Sequence, residues 1–141
     1  MAPREIALNH VSVHAEDLEV SARFYEEWFG MDRLPTPDFG YPVVWLRAGD
    51  RQLHLFHLDV EAPKNHHFAV TVDDLSAFYA KAREAGILDR EEVREFPGGG
   101  FQMYIRDPAG NLVEVDGREV DSTVVGAPVR LGGSPEAKLF L

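Results

Sequence analysis

Hydrophobic and polar positions alternate along residues 6–13 as they do in a strand, with Leu8, His10 and Ser12 on one face and Ala7, Val11 and Val13 on the other. Glu16 and Asp17 then supply an acidic helix start, and Leu18, Ala22, Tyr25 and Phe29 recur at helical spacing, widened by Phe24 and Trp28. Gly30 is placed to end that helix. Residues 31–42 hold Pro35, Pro37, Gly40 and Pro42, which predicts a loop or an irregular edge strand. Val43 to Arg47 and Gln52 to Leu58 read as a hairpin turned at Gly49-Asp50.

The plan then repeats. His67 to Val72 predicts a strand, Asp73 or Asp74 a cap, and Leu75, Phe78, Tyr79, Ala82 and Ala85 the apolar stripe of a second helix that ends at Gly86. A strand near Glu92 to Phe96, the loop Pro97-Gly98-Gly99-Gly100, and a hairpin of Phe101 to Arg106 and Leu112 to Val115 follow. Superposing His10 on His67 also superposes Val13 on Val70, Asp17 on Asp74 and Leu18 on Leu75. Each half therefore reads β-α-β-β-β, with one helix for about four strands. That ratio predicts an α+β fold in which a helix covers one sheet face and the other lines an open cup. We expect one domain over residues 1–141, with a first module at about 5–58, a second at about 66–116, and a tail at 117–141 that packs on a neighbouring surface or a second subunit.

Composition narrows the chemistry. Of 141 residues 45% are hydrophobic and 27% charged, as in a globular chain. A net charge of −10 argues against a nucleic-acid partner. With no cysteine, any metal must be held by His, Asp or Glu. No apolar run reaches the roughly 20 residues of a membrane span. Met1 to Glu5 carries no signal-like apolar region, so the expected location is the cytoplasm.

Strand parity then groups the candidates. Val11 and Val13, and Phe68, Val70 and Val72, suit a helix-covered face, whereas His10, Ser12, His67, Ala69 and Thr71 point the other way. In the closing strands His54 opposes Leu53 and Leu55, and Glu114 opposes Val113 and Val115. Two imidazoles and a carboxylate are what a divalent first-row metal with open positions requires. His54 is either a fourth ligand or a nearby acid/base group. His14, His57 and His66 sit at a strand end or on the wrong parity, and we assign them no ligand role.

The segments from His10 to Val13 and on through Asp17-Leu18 and Phe24-Tyr25 to Gly30, from His67 to Val70 and on through Asp73-Asp74-Leu75, and from Tyr104 to Glu114 resemble the vicinal oxygen chelate superfamily. That superfamily groups glyoxalases, bleomycin-resistance proteins, extradiol dioxygenases and fosfomycin-resistance thiol transferases. The resemblance spans about residues 6–116 and implies paired βαβββ modules in a cupped mixed sheet. It implies metal ligands at His10, His67 and Glu114, and Fe(II) or Mn(II) before Zn or Ni. Glyoxalases commonly carry Glu where this chain has His54, whereas extradiol dioxygenases have a histidine near His54 and a tyrosine placed like Tyr104. The expected function is therefore dioxygenase-like chemistry on a small molecule that chelates the metal through vicinal oxygens. His54 and Tyr104 would be catalytic, and Ser12, Trp45, Phe56, Gln102 and Arg94 would line the substrate pocket. The alternatives are a fosfomycin-type thiol transferase, a glyoxalase-like lyase and a metal-free bleomycin-type binding protein. The resemblance also implies a homodimer.

Overall fold

The computed structural model describes residues 6–141, so the expectation resting on Met1 to Glu5 lies outside the described residues. The chain divides into two compact units, Met1–Ala62 and Pro63–Leu141. The first contains β1 (His10–His14), α1 (Leu18–Phe29), β2 (Asp32–Leu34), β3 (Val43–Ala48) and β4 (Arg51–Phe56). Its four-stranded sheet has the order β1-β4-β3-β2, with β1 parallel to β4 and the other neighbours antiparallel. Asp17 caps α1 by accepting from the Val20 amide at 3.1 Å, and Gly30 ends it at φ 64°, a left-handed turn that favours glycine.

Register places Val11 and Val13 beside Leu53 and Leu55, and Leu46 and Val44 beside the same pair on the far side. α1 packs on β3 and β4, where its Ala22 and Tyr25 and the strand residues Leu46 and Leu55 are fully buried. Burial of the two leucine side chains contributes roughly 1.5–3 kcal/mol each. One expectation needs correcting. The first strand begins at His10 rather than Ile6, because its partner β4 reaches only as far as Arg51, opposite the turn. Ile6 and Leu8 therefore stand exposed, outside any ladder. β4 likewise ends at Phe56, and the proline-containing segment opens with a short strand, β2, before its loop.

The second unit contains β5 (His67–Thr71), α2 (Leu75–Glu84), β6 (Arg94–Glu95), β7 (Phe101–Arg106), β8 (Leu112–Gly117), a short α3 (Ser122–Val125) and β9 (Val129–Arg130). Its sheet order is β5-β8-β7-β6-β9, with β5 parallel to β8. Asp74 caps α2 through the Ala77 amide at 2.9 Å. Phe68, Val113 and Ile105 form one apolar row and Val70, Val115 and Met103 the next. At the end of β8 a Cβ on Gly117 would come within 2.7 Å of Leu75 Cβ, so glycine lets the strand abut the helix start. The tail is not a loose extension: β9 adds a parallel edge strand to β6, and the Gly98 amide donates to the Ala137 carbonyl at 2.8 Å.

The β7–β8 turn is pinned by one carboxylate. Asp107 accepts from the amides of Ala109 and Asn111 at 2.9 and 2.8 Å and from Asn111 Nδ2 at 2.8 Å. Such a closed set of local bonds fixes where the hairpin reverses.

Candidate metal centre and ligand cavity

In the second unit, cross-strand register sets Ala69, Glu114 and Tyr104 in one row, and Thr71, Asp116, Gln102 and Arg94 in the row beside it, all on the face away from the apolar rows. Glu114 is buried, and its Oε1 accepts from Gln102 Nε2 at 2.8 Å and from the Tyr104 hydroxyl at 2.7 Å. His67 meets the same oxygen from β5, with Nε2 3.5 Å from Oε1. The Tyr104 ring stands edge-on to His67, with centroids 5.3 Å apart. The Nδ1–H of His67 donates to the Asn65 carbonyl at 2.9 Å, which leaves the lone pair of the neutral ring on Nε2.

Asp116 shares the buried face with Glu114, and among the described residues its Oδ1 has no hydrogen-bond partner. Burial first, and the Glu114 carboxyl beside it second, push Asp116 up to about 8. Burial also pushes Tyr104 up to about 12, reinforced by the Glu114 carboxylate to which it donates, so Tyr104 acts here as a donor and not as a base. Arg90 lies over the Tyr104 ring at 4.4 Å and pairs with Asp89, and Arg94 pairs with Glu92. The residue that sequence reasoning missed is Asp116. The signal was its two-residue spacing from Glu114, which gives both carboxyls one parity.

In the first unit, Trp45, His54 and Ser12 are register partners across β3, β4 and β1, and His10 lies two residues before Ser12 on the same face. The rings stack: Trp45 on His54 at 4.3 Å and 7°, and His54 on His10 at 4.0 Å and 20°. His54 Nε2 donates to Gln52 Oε1, and His10 Nδ1 to Asn9 Oδ1, both at 2.8 Å. Burial, with a smaller contribution from His10, lowers His54 and favours its neutral form. Ser12, Trp45 and Phe56 border a cavity of about 290 Å³ with these two histidines. His14 is buried with Nε2 3.5 Å from the Glu16 carboxylate, and His57 Nδ1 is bonded to the Ala15 carbonyl at 3.0 Å.

The predicted ligands thus come together as pairs, His67 with Glu114 and His10 with His54. Among the described residues no group of three His, Asp or Glu side chains is placed to hold one ion. The donor chemistry of the second unit nonetheless suits a cation. With Nδ1–H donated to Asn65, the neutral tautomer of His67 turns its Nε2 lone pair towards the Glu114 carboxylate, and a second carboxyl oxygen, Asp116 Oδ1, lies buried and unpaired among the described residues.

Comparison with known proteins decides the family. Residues 7–115 match the model of the Glyoxalase/Bleomycin resistance protein/Dioxygenase superfamily. The chain belongs to this superfamily. Human mitochondrial methylmalonyl-CoA epimerase is 30% identical over 127 residues, covering 77% of this chain and 72% of that protein. Among solved structures, lactoylglutathione lyase from Agrobacterium tumefaciens superposes with a TM-score of 0.64 at 25% identity, covering 82% of this chain and 96% of that one. Oxidase ChaP-H2 does so with a TM-score of 0.64 at 25% identity, over 83% and 97%. The α+β fold and the superfamily resemblance read from the sequence are both borne out. No helix among the described residues is long and apolar enough to cross a membrane.

Proposed function

We propose that this protein is a metal-dependent enzyme acting on a small substrate that chelates the metal through adjacent oxygens, with dioxygenase-like chemistry as the leading reading. The observation that carries it is the approach of His67 Nε2 to within 3.5 Å of Glu114 Oε1 while Nδ1–H is committed to the Asn65 carbonyl, so that the neutral ring offers Nε2 as a ligand. On this reading His67 and Glu114 are ligands, and the ligand pattern of the superfamily adds His10. The ion, Fe(II) or Mn(II) before Zn or Ni, supplies positive charge that stabilises negative charge developing on substrate oxygen. Gln102 and Tyr104 hold the Glu114 carboxylate in one orientation. His54, kept neutral by burial, accepts a proton at Nδ1, because its Nε2 is committed to Gln52. Ser12, Trp45, Phe56 and Arg94 contact the substrate, and the protein works as a homodimer.

Metal analysis of the purified protein tests this first. We expect stoichiometric Fe or Mn, together with catechol-dependent oxygen uptake, and both are lost in His67→Ala. A protein that takes up no stoichiometric Fe, Mn, Ni or Zn would sink the reading. A second reading is proton transfer at carbon next to a carbonyl, as the names of the epimerase and lyase relatives suggest. The buried Glu114 and Asp116 carboxyls favour it, since one of them can hold a proton near neutral pH. Solvent deuterium entering a 2-oxo or thioester substrate without oxygen uptake would select it. Thiol consumption with fosfomycin would select the transferase.

A further inference from the structure

We propose that the cavity between the glycine loop and the C-terminal tail of the second unit binds a monoalkyl phosphate, a phosphate head carrying an apolar arm. The site is separate from the candidate metal centre, and the inference goes beyond the function proposed above without resting on it.

Three segments distant in sequence build the cavity. The glycine loop supplies Gly98, Gly99 and Gly100, the end of β8 leads into Arg118, and the tail supplies Lys138 to Leu141. Glycine is required where tail and loop meet. A Cβ on Gly98 would lie 2.9 Å from the Ala137 carbonyl oxygen, the same group that accepts from the Gly98 amide. Gly100 has φ 95°, and its Cβ would lie 3.1 Å from Leu141 Cδ1. Further back, the tail is anchored by β9 and by the Leu131 amide, which donates to the Glu95 carbonyl at 2.9 Å. The space left among these segments is about 650 Å³, within the usual range of small-molecule sites.

Charge and surface set the ligand class. In a chain of net charge −10, the side chains bordering this cavity include two cations and no Asp or Glu. Arginines elsewhere are neutralised, as Arg33 is between Glu19 and Glu26. Among the described residues Arg118 and Lys138 form no ion pair with any carboxylate, that of Leu141 included. Two like charges held beside one cavity are uncompensated until an anion joins them. A phosphate brings nearly two negative charges and three acceptor oxygens, enough for the planar fork of an arginine and the ammonium of a lysine together. Leu139, Phe140 and Leu141 line the rest, and Phe140 is 99% exposed, apolar surface that a short alkyl arm covers.

The test uses the full chain in chelator, so that no metal holds the phosphate. Hexyl phosphate, inorganic phosphate, hexanoate and hexanol are the probes, followed by calorimetry and by the amide resonances of Gly98, Gly99 and Gly100. We expect hexyl phosphate to bind saturably and shift those resonances, inorganic phosphate and hexanoate to bind about tenfold more weakly, and hexanol not to bind. Arg118→Gln and Lys138→Gln should each weaken hexyl phosphate about tenfold, and Phe140→Ala about threefold with inorganic phosphate unchanged. Lys81→Gln, on the surface of α2, should leave binding unchanged. All four side chains are exposed, so these variants keep the fold. Equal affinity for hexyl phosphate and hexanoate, binding of hexanol, unmoved glycine resonances, or an equal loss in Lys81→Gln overturns the proposal. So does loss of binding in His67→Ala, which would place the phosphate at the metal centre. Co-sedimentation with phosphatidate vesicles would assign the head to a lipid, and its absence to a soluble ester; either result supports the site. Because no metal enters the test, hexyl phosphate binding by a protein that never loads metal supports this site and removes only the metal reading.

Discussion

The two units start from one plan and diverge on one face. Both run β-α-β-β-β, both pair their first and last of these strands in parallel, and both cap the helix with an aspartate immediately before its first residue. Their helix-side rows are interchangeable in kind: Val13 beside Leu55 in one, Val70 beside Val115 in the other. On the opposite face the closing strand carries His54 in a stack of rings in the first unit, and Glu114 in a network of hydrogen bonds in the second. Packing against a helix demands the same apolar alternation twice, whereas the other face answers only to what it binds. A duplicated frame therefore leaves each copy free to specialise, one towards apolar contact and one towards charge.

The sharpest way to break this contrast is at the closing strands. Glu114→Ala removes the carboxylate from the second unit and should weaken metal retention by about 100-fold or more, read by metal content after dialysis. His54→Ala, which alters only the ring column, should change retention by far less if His54 is an acid/base group. An equal loss in the two variants would make it a fourth ligand.

The next effect is confined to the second unit. Asp116 binds its proton more tightly folded than unfolded, so between its ordinary value near 3.8 and about 8 the folded state holds more protons. Stability of the metal-free protein should then fall as pH rises through that window. Asp116→Asn keeps a donor towards Glu114 without a titrating proton, and should shrink the fall in Tm between pH 5 and pH 8 by roughly half or more. An unchanged slope would show that the Glu114–Asp116 pair does not carry it.

The smallest expected effect probes what the units share. Asp17→Ala and Asp74→Ala each remove one side-chain bond to a first-turn amide, and each should cost about 1 kcal/mol in denaturant unfolding. Similar losses would confirm that the frame is equivalent in both copies.

Much of this frame was legible in the chain. Alternation of the Val11-Val13 kind is imposed by burial against one helix, so it marked the strands, their faces and the parity of His10, His54, His67 and Glu114. What it could not convey depended on partners distant in sequence. Ile6 to Asn9 alternate as a strand does, yet no strand lies beside them to complete a ladder. The stacking of His54 between Trp45 and His10 is a matter of side-chain torsions that parity leaves open. Asp116 was passed over because the closing strand was expected to stop at Val115, whereas β8 runs on to Gly117 and is buried along its whole length. Phe39 and Tyr41 sat in a segment whose prolines announced a loop or an irregular edge strand and left its side chains unplaced.

The Asp107 turn has a bearing on how such a protein can change over evolutionary time. β8 presents Val113 and Val115 to the helix side and Glu114 and Asp116 to the other, so its meaning depends on counting residues from that turn. One residue inserted between Asp107 and Leu112 that shifted this register would exchange the two sets, driving two carboxyls into an apolar core and two valines onto the opposite, polar face. Drift in length is therefore barred at this hairpin, while substitution on the open face is tolerated. Lineages built on this frame can be expected to explore new chemistry by exchanging side chains along β4 and β8 and to keep the Asp107–Asn111 reversal at constant length.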